Sequence, residues 1–244
     1  LQSAIILKEA GHQPILVISK EGPLRAAFEA EGIKVFVKPL AILRRKYFNL
    51  PGVWNRWNSF RTAKKELSAL IKSEGIDLIY TNTAAIWVGA IMAKKFNLRH
   101  IWHLHEIVER PKFLTKFIGF LSNYSSAEMV VVSDAVKQHW STVFDASNIR
   151  RVYNGFDFSY LDSEQRGEMP EEILEAALTI GMIARVHFWK GQTYFLEIAS
   201  ALKALGVKAT YVMVGDAYPG YEYLYDEIQE KLDDLGLKGE VVDL

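Results

Sequence analysis

The chain has no cysteine, which excludes disulfide bonds and thiolate metal sites and mildly favours a reducing, cytoplasmic location. Neither sign of charge is in excess, because 29 lysine and arginine residues balance 29 aspartate and glutamate residues. Nucleic acid is therefore not expected as a partner, and any anion has to be bound by a local cluster of cations. No hydrophobic run reaches the roughly 20 residues that a membrane-spanning helix needs.

Half of the residues are hydrophobic, and they occur in short runs that alternate with helical patterns. Runs rich in valine, isoleucine and aromatics predict strands over residues 14–18, 33–37, 76–80, 99–103 and 127–132. Amphipathic patterns, several of them closed by glycine or asparagine, predict helices over residues 24–31, 57–73, 84–96, 113–125 and 135–140. This alternation predicts an α/β fold, with a parallel sheet covered by helices on both faces.

A polar, acidic segment over residues 157–175 interrupts the alternation of strands and helices. The pattern then restarts, with strands predicted over 178–183 and 209–214 and helices over 192–205 and 221–235. We therefore predict two doubly wound units, residues 1–158 and 178–244, joined by a linker over 159–177.

The two ends of the chain favour a fragment of a longer protein. Residues 1–10 read as a helix with no strand before it, and residues 240–244 read as the start of a strand. We expect the first strand of the first domain and the rest of the second domain to be missing. A complete domain with ragged ends is the alternative.

Two cations flank a loop in the second unit. Residues 178–183 read as a buried strand, and Lys190-Gly191 stands at the start of a helical pattern, so Arg185 and Lys190 are predicted at the carboxyl end of a strand. Open α/β sheets bind their ligands at that edge. A guanidinium fork beside a mobile ammonium group suits a diphosphate. Two solvated surface cations are the alternative interpretation.

A cluster of histidines ends another predicted strand. In Trp102-His103-Leu104-His105-Glu106, the two histidines point to the same face of the strand. A metal site with two histidine ligands is one interpretation, but no third ligand is apparent and we predict no metal. We expect His105 to face a ligand from the carboxyl end of its strand, with Glu106 orienting it.

Basic and aromatic residues are mixed between residues 43 and 65, without an acidic residue among them. The basic residues are Arg44, Arg45, Lys46, Arg56, Arg61, Lys64 and Lys65, and the aromatic residues are Tyr47, Phe48, Trp54, Trp57 and Phe60. Such a mixture suits an anionic membrane surface, on which the protein would lie peripherally at the inner face of the cell membrane. A solvated helix face beside a loop packed on the core is the alternative.

Several segments, taken in their order along the chain, resemble signatures of the retaining glycosyltransferases of family 4. That family has two Rossmann-like domains in the GT-B arrangement. The matching segments are the helix-to-strand turn at 10–18, the strand end at 76–82, the histidine-plus-acid motif at 103–106, the helix start at 131–136, the NG-D motif at 152–157, and Arg185 with Lys190-Gly191. Each segment is weak by itself, and their joint order over nearly the whole chain carries the resemblance.

The resemblance implies transfer of a sugar from a nucleotide diphosphate donor to an acceptor, such as a lipid-linked or surface polysaccharide precursor, without a cofactor or a bound metal. It implies that Arg185 and Lys190 hold the donor diphosphate and that His105 is the catalytic residue beside the sugar. The first domain would meet the acceptor and the second the donor. The other implied donor or crevice residues are Glu106, Ser133, Asn154, Gly155, Gly191, Gly215 and Asp216. The residue type of Ser133 favours a structural role, as the N-cap of the helix that follows. The carboxylate pair of the family is expected beyond Leu244, so the fragment is expected to be inactive alone.

Three alternatives stay open. A non-catalytic nucleotide-binding module is compatible with every motif in the chain. A sugar-nucleotide epimerase of the same fold needs a different set of carboxylates from those found here. A dinucleotide-dependent oxidoreductase has the same α/β pattern, but its G-x-G-x-x-G turn is not seen in this sequence.

Overall fold

The structure is a computed structural model that describes residues 1–43, 47–155, 171–174 and 176–243. It forms two compact units, Leu1–Phe156 and Asp157–Leu244. The predicted linker over 159–177 lies mostly outside the described residues, and Arg44, Arg45 and Lys46 of the basic segment lie outside them as well.

The first unit alternates helices and strands along the chain. Its helices are α1 (Gln2–Glu9), α2 (Leu24–Ala30), α3 (Leu50–Glu74), α4 (Val88–Phe96), α5 (Lys112–Ser125) and α6 (Asp134–Trp140). Its strands are β1 (Ile15–Ile18), β2 (Lys34–Val37), β3 (Leu78–Thr81), β4 (Arg99–Leu104), β5 (Glu128–Val131) and β6 (Ile149–Arg151). The sequence pattern did not predict β6, because two of its three residues are arginines.

The strands of the first unit pair in parallel, but they form two sheets. The strands β1 and β2 make a two-stranded sheet, while β3, β4, β5 and β6 follow one another in a four-stranded sheet. The alternation in the sequence predicted a single sheet, and the described residues differ because no ladder of hydrogen bonds joins β1 to β3. Parallel pairing nevertheless brings the carboxyl ends of β3 to β6 to one edge.

Burial along β4 shows how the larger sheet is covered. His100, Trp102 and Leu104 are at most 1% exposed, and they alternate with the half-buried Ile101 and His103. The indole of Trp102 and the side chain of Leu104 pack into a core with residues of α4, α5 and α6. The helices α1 and α2 pack instead against the sheet of β1 and β2. Helix coverage is therefore divided between the two sheets.

Two helices of the first unit begin away from their predicted starts. The helix α3 begins at Leu50, not at residue 57, because the Asn49 side chain accepts a hydrogen bond from the Gly52 amide (2.7 Å) and caps it. Pro51 fits in the first turn, where a missing N–H costs little. The helix α4 begins at Val88, not at residue 84, because the Ala84 amide donates to the carboxylate of Glu106, from the loop after β4 (3.1 Å).

The second unit has the same alternating pattern. Its strands β7 (Thr179–Ile183), β8 (Thr210–Val214) and β9 (Val241–Asp243) form a parallel sheet in that order, and its helices are α7 (Glu171–Leu174), α8 (Gln192–Ala204) and α9 (Tyr223–Asp234). Leu196, Tyr211 and Leu237 are at most 1% exposed and lie in its core. Across the described ranges, none of the helices combines the length and the hydrophobicity that crossing a bilayer requires.

Candidate functional site

The loop after β7 is fixed to the loop after β8. The Ala184 amide donates to the Val214 carbonyl (3.0 Å) and the Val186 amide donates to the Asp216 carbonyl (3.0 Å), so strand-like pairing continues past the end of the sheet. The buried Gln192 of α8 adds a clamp, because its side-chain amide donates to the Arg185 carbonyl (2.9 Å). Arg185 is therefore presented from a fixed backbone at the carboxyl edge of this sheet.

Arg185 and Lys190 are exposed at the two ends of this loop. Within the described part of the chain, neither has a carboxylate within ion-pair distance. Gly191, with φ 89°, follows Lys190 and leads into α8, whose first amides point toward the same edge. Two uncompensated cations beside a helix start make this edge suitable for a phosphorylated ligand.

Gly215 and Asp216 belong to the same edge, but their backbones have structural roles there. Gly215 has φ 128°, and a Cβ atom at this position would lie 2.6 Å from the Ala184 carbonyl oxygen. The residue has to be glycine because two loops pack closely at this point. The Asp216 carbonyl accepts the Val186 amide, and its exposed carboxylate lies 3.5 Å from the Tyr225 hydroxyl.

A second edge, in the first unit, carries His105. Its Nε2 lies 2.8 Å from the Asn82 amide oxygen, so an N–H at Nε2 donates across the ends of β3 and β4. Asn82 orients the imidazole. This contact was not predicted from the strand-end motif at 76–82, because the two residues meet only through strand pairing.

Glu106 joins the loops that follow β3 and β4. Its carboxylate accepts hydrogen bonds from the Thr83 hydroxyl, the Ala84 amide (3.1 Å) and the His105 amide (3.3 Å). It therefore contacts the backbone of His105, whereas the ring is held by Asn82. The buried Trp140 indole donates to the Glu106 carbonyl (3.0 Å), which fixes the loop from below.

His103 is the other histidine of this edge. Its Nδ1 is hydrogen-bonded to the Tyr80 hydroxyl, and its ring lies 4.3 Å from the ring of His105. The pKa of His103 is lowered below its ordinary value, mainly by burial and to a smaller extent by the nearby His105. Among the described residues, no group of three or more histidines and carboxylates is arranged to hold a metal.

The remaining predicted residues lie at the ends of β5 and β6. The Ser133 hydroxyl accepts a hydrogen bond from the Val136 amide (3.2 Å) and caps α6, which is the structural role its residue type favours. Asn154 and Gly155 are exposed beyond β6. The parallel sheet thus places Asn82, His105, Ser133 and Asn154 along one edge, in the order of their strands.

A sequence model of Glycosyltransferase Family 4 matches residues 4–160 of the chain. The chain belongs to Glycosyltransferase Family 4. The match covers the edge that carries His105, and the resemblance predicted from the motifs is confirmed at the level of the family. No curated protein matches the sequence of this family 4 chain.

Solved structures extend the likeness of the family 4 chain to both units. HepE of Anabaena, in complex with UDP and glucose, has a TM-score of 0.72 at 22% identity over 99% of this chain and 64% of its own. A glycosyltransferase of Rickettsia africae has a TM-score of 0.70 at 22% identity, over 99% of this chain and 62% of its own. A UDP-forming trehalose-phosphate synthase of Burkholderia vietnamiensis has a TM-score of 0.64 at 10% identity, over 95% of this chain and 72% of its own.

These likenesses confirm the predicted fold class of the family 4 chain. It has the α/β fold of the two-domain GT-B glycosyltransferases and covers a part of that fold. The chain spans 64% of the length of HepE and 62% of the Rickettsia protein.

Proposed function

We propose that the protein transfers a sugar from a nucleotide diphosphate donor to an acceptor. The observation that carries the proposal is the pair of uncompensated cations, Arg185 and Lys190, at the carboxyl edge of the second unit. Family membership supports the reaction class, and the complex of HepE with UDP and glucose supports a nucleotide-sugar donor.

In the proposed reaction, Arg185 and Lys190 bind the donor diphosphate and offset the negative charge that grows on it as the bond to the sugar breaks. The amides at the start of α8, after Gly191, face the same charge. His105 borders the sugar, held by Asn82 in a fixed orientation. Gly215 and Asp216 complete the donor edge, while Glu106, Ser133, Asn154 and Gly155 shape the edge in the first unit.

Calorimetric titration tests the donor proposal. We expect UDP or GDP to bind more tightly than a nicotinamide dinucleotide, and Arg185→Ala and Lys190→Ala each to weaken binding by about tenfold to a hundredfold, as expected for a charge-assisted hydrogen bond. Lys208→Ala is the matched control, because Lys208 is also an exposed cation and lies just before β8, at the opposite edge of the sheet. Equal loss in all three variants would contradict a specific diphosphate site.

We propose further that the configuration at the transferred sugar is retained and that the acceptor is a glycan or a lipid-linked precursor. Support comes from membership in the family, and no residue of the first unit is assigned to the donor diphosphate. Proton NMR of the first product formed by the full-length protein distinguishes the anomers. A product of inverted configuration would contradict this part of the proposal.

Docking of the first unit on an anionic membrane surface is part of the same proposal. An open groove of about 530 Å³ between α3 and α4 is lined by Trp57, Phe60, Arg61, Lys64, Lys65, Ser68 and Lys95. In the described part of the chain, Arg61, Lys64 and Lys65 have no carboxylate partner, while Trp54 and Trp57 are 68% and 54% exposed. Cations interleaved with exposed indoles suit the headgroup region of a bilayer.

Other members of the basic segment have structural roles. The Arg56 guanidinium lies 3.9 Å from the centre of the Tyr47 ring and donates to the Ile42 carbonyl (3.3 Å). The Phe60 ring stacks on Trp87 at 4.6 Å. Membrane contact is therefore assigned to the exposed part of α3, from Trp54 to Lys65.

Co-sedimentation with vesicles tests the membrane proposal. We expect binding to vesicles that contain phosphatidylserine, little binding to pure phosphatidylcholine, and release by salt. Changing both Lys64 and Lys65 to Glu should abolish binding. Lys72→Glu, an exposed position further along the same helix, is the matched control and should bind normally. Recovery that is equal on both lipids and insensitive to salt would contradict the proposal.

The 244-residue chain is proposed to bind the donor without turning it over, since it spans 64% of HepE. Release of nucleotide diphosphate from a nucleotide sugar by this chain would contradict that expectation. Donor binding without transfer by the full-length protein would instead favour a non-catalytic module, and interconversion of the free nucleotide sugar would favour an epimerase.

A further inference from the structure

Exposed aromatic rings in the second unit concentrate at the edge that carries the two cations. Five aromatic side chains in its described part are at least half exposed: Phe188, Trp189, Tyr194, Tyr218 and Tyr223. All five lie in the loops after β7 and β8 or in the first turns of the helices that follow. Contact of an aromatic ring with water is unfavourable in free energy, so several exposed rings at one edge indicate a binding surface. Such rings suit a ligand that has a flat face.

Tyr218 is the ring of this group that contacts Arg185. The Arg185 guanidinium carbon lies 5.3 Å from the centre of the Tyr218 ring, which is a cation–π distance, and the tyrosine remains 55% exposed. A ligand phosphate held by Arg185 therefore has an accessible aromatic ring beside it.

The backbone of Tyr218 is held in place on both sides. Before it, the Ala217 amide donates to the Tyr225 hydroxyl (2.8 Å), and Ala217 bridges to Val186 of the cation loop. After it, the Tyr221 amide donates to the Tyr218 carbonyl (2.9 Å) across Pro219-Gly220, with Gly220 at φ 93°. Proline followed by a glycine of positive φ is the pattern of a tight type II turn. The ring is thus presented from a fixed loop.

We propose that Tyr218 stacks on the nucleobase of the donor. This inference rests on the proposed function and assigns the base-contacting residue, which the sequence motifs did not imply. Every nucleobase has a flat π face, so any of the bases can stack on an aromatic ring. With the diphosphate on Arg185, the nucleoside extends along the same edge toward the exposed part of the Tyr218 ring. Stacking at this position selects nucleotides over free diphosphate.

Trp189 is the competing ring at this edge. The Lys190 ammonium lies 4.9 Å from the centre of its ring, and the indole also makes an edge contact with His187 at 5.4 Å. The turn of Trp189 is also closed, by a hydrogen bond from the Lys190 amide to the His187 carbonyl (2.8 Å). Tyr218 is preferred because its ring contacts the planar Arg185 guanidinium, whereas the cation that contacts the Trp189 ring is the mobile Lys190 ammonium. If Trp189 held the base instead, substitution of Tyr218 would leave nucleotide affinity unchanged.

Calorimetry with pyrophosphate, UDP and GDP as probes separates stacking from phosphate binding. We expect Tyr218→Ala to weaken UDP and GDP binding by about 5- to 150-fold, the range known for base–aromatic stacking, and to leave pyrophosphate affinity unchanged. Tyr218→Phe should restore nucleotide affinity, because it keeps the ring. The matched control is Tyr124→Ala. Tyr124 is a 43% exposed tyrosine of α5 with the Lys94 ammonium over its ring, and its removal should leave nucleotide affinity unchanged.

The NMR chemical shifts of bound UDP distinguish stacking from a purely structural role of Tyr218. The base protons of UDP should shift upfield on binding, through the ring current of Tyr218, and this shift should vanish in Tyr218→Ala at saturating UDP. Equal losses of pyrophosphate and nucleotide affinity would mean that Tyr218 only positions Arg185, and would overturn the inference. Wild-type affinity for pyrophosphate equal to that for UDP would overturn the inference and leave the diphosphate site intact. No binding of either probe would overturn the proposed function as well.

Discussion

His100 is a buried histidine whose two ring nitrogens are both hydrogen-bonded. The Thr81 hydroxyl lies 3.0 Å from Nε2, and the Ser125 hydroxyl lies 2.9 Å from Nδ1. The Ser125 hydroxyl in turn donates to the Ser122 carbonyl (3.2 Å), so it accepts an N–H from the imidazole. These partners suit the neutral ring, and burial lowers the pKa of His100 from 6.5 to about 4.

From the lowered pKa of His100 we predict that the first unit loses stability in mild acid. Because the folded-state pKa lies below the unfolded-state value, the unfolded chain binds more protons, and stability falls as the pH drops from 6.5 toward 4. The contribution of His100 should be about 2 kcal/mol between pH 7.5 and pH 5. Urea unfolding at these two pH values measures it.

The variant His100→Gln isolates the contribution of His100 to this pH dependence. Its free energy of unfolding should change less between the two pH values than that of the wild type. His12→Gln, at an exposed histidine, is the control and should keep the wild-type dependence. A His100→Gln variant with the full wild-type dependence would show that other groups cause it.

At the scale of elements, the site loops are held by contacts between strand ends. Glu106 accepts from Thr83 and the Ala84 amide, and thereby ties the loop after β4 to the loop after β3. In the second unit, the hydrogen bond from the Val186 amide to the Asp216 carbonyl does the same for β7 and β8. At each candidate edge, the loops that follow two neighbouring strands are therefore hydrogen-bonded to each other. A substitution that shifts the backbone there should lower both the stability and the ligand affinity.

Gly215→Ala tests the joint between β7 and β8. A methyl group would lie 2.6 Å from the Ala184 carbonyl oxygen on a backbone with φ 128°, so we expect a loss of about 2–3 kcal/mol of stability and weaker nucleotide binding. Gly181→Ala on β7 is the matched control, since its methyl would meet only the Val212 carbonyl oxygen at 4.0 Å. Thermal unfolding with and without UDP measures both effects, and equal behaviour of the two variants would contradict the close packing at Gly215.

For the molecule as a whole, the features that could be predicted from the sequence are those that lie within one continuous segment of the chain. The strand predicted over residues 99–103 and the two cations after β7 are each visible in one short stretch. The family resemblance was also predicted, because its motifs are short and ordered along the chain.

Features that depend on distant segments could not be predicted in this way. Asn82 meets His105 only because β3 pairs with β4, and the Tyr218 ring meets Arg185 only because β7 pairs with β8. The division of the first unit into two sheets likewise depends on which strands pair. The start of α3 was missed because Pro51-Gly52 is typical of a turn, whereas Asn49 caps a helix there.

Backbone amide NMR during a UDP titration of the chain tests most directly whether the loop after β7 is the donor site. We expect the largest shift changes to fall on residues 185–191 and 215–218, and we expect Arg185→Ala to remove them and Lys208→Ala to leave them unchanged. Changes confined to other parts of the chain, or none at saturating UDP, would contradict this assignment.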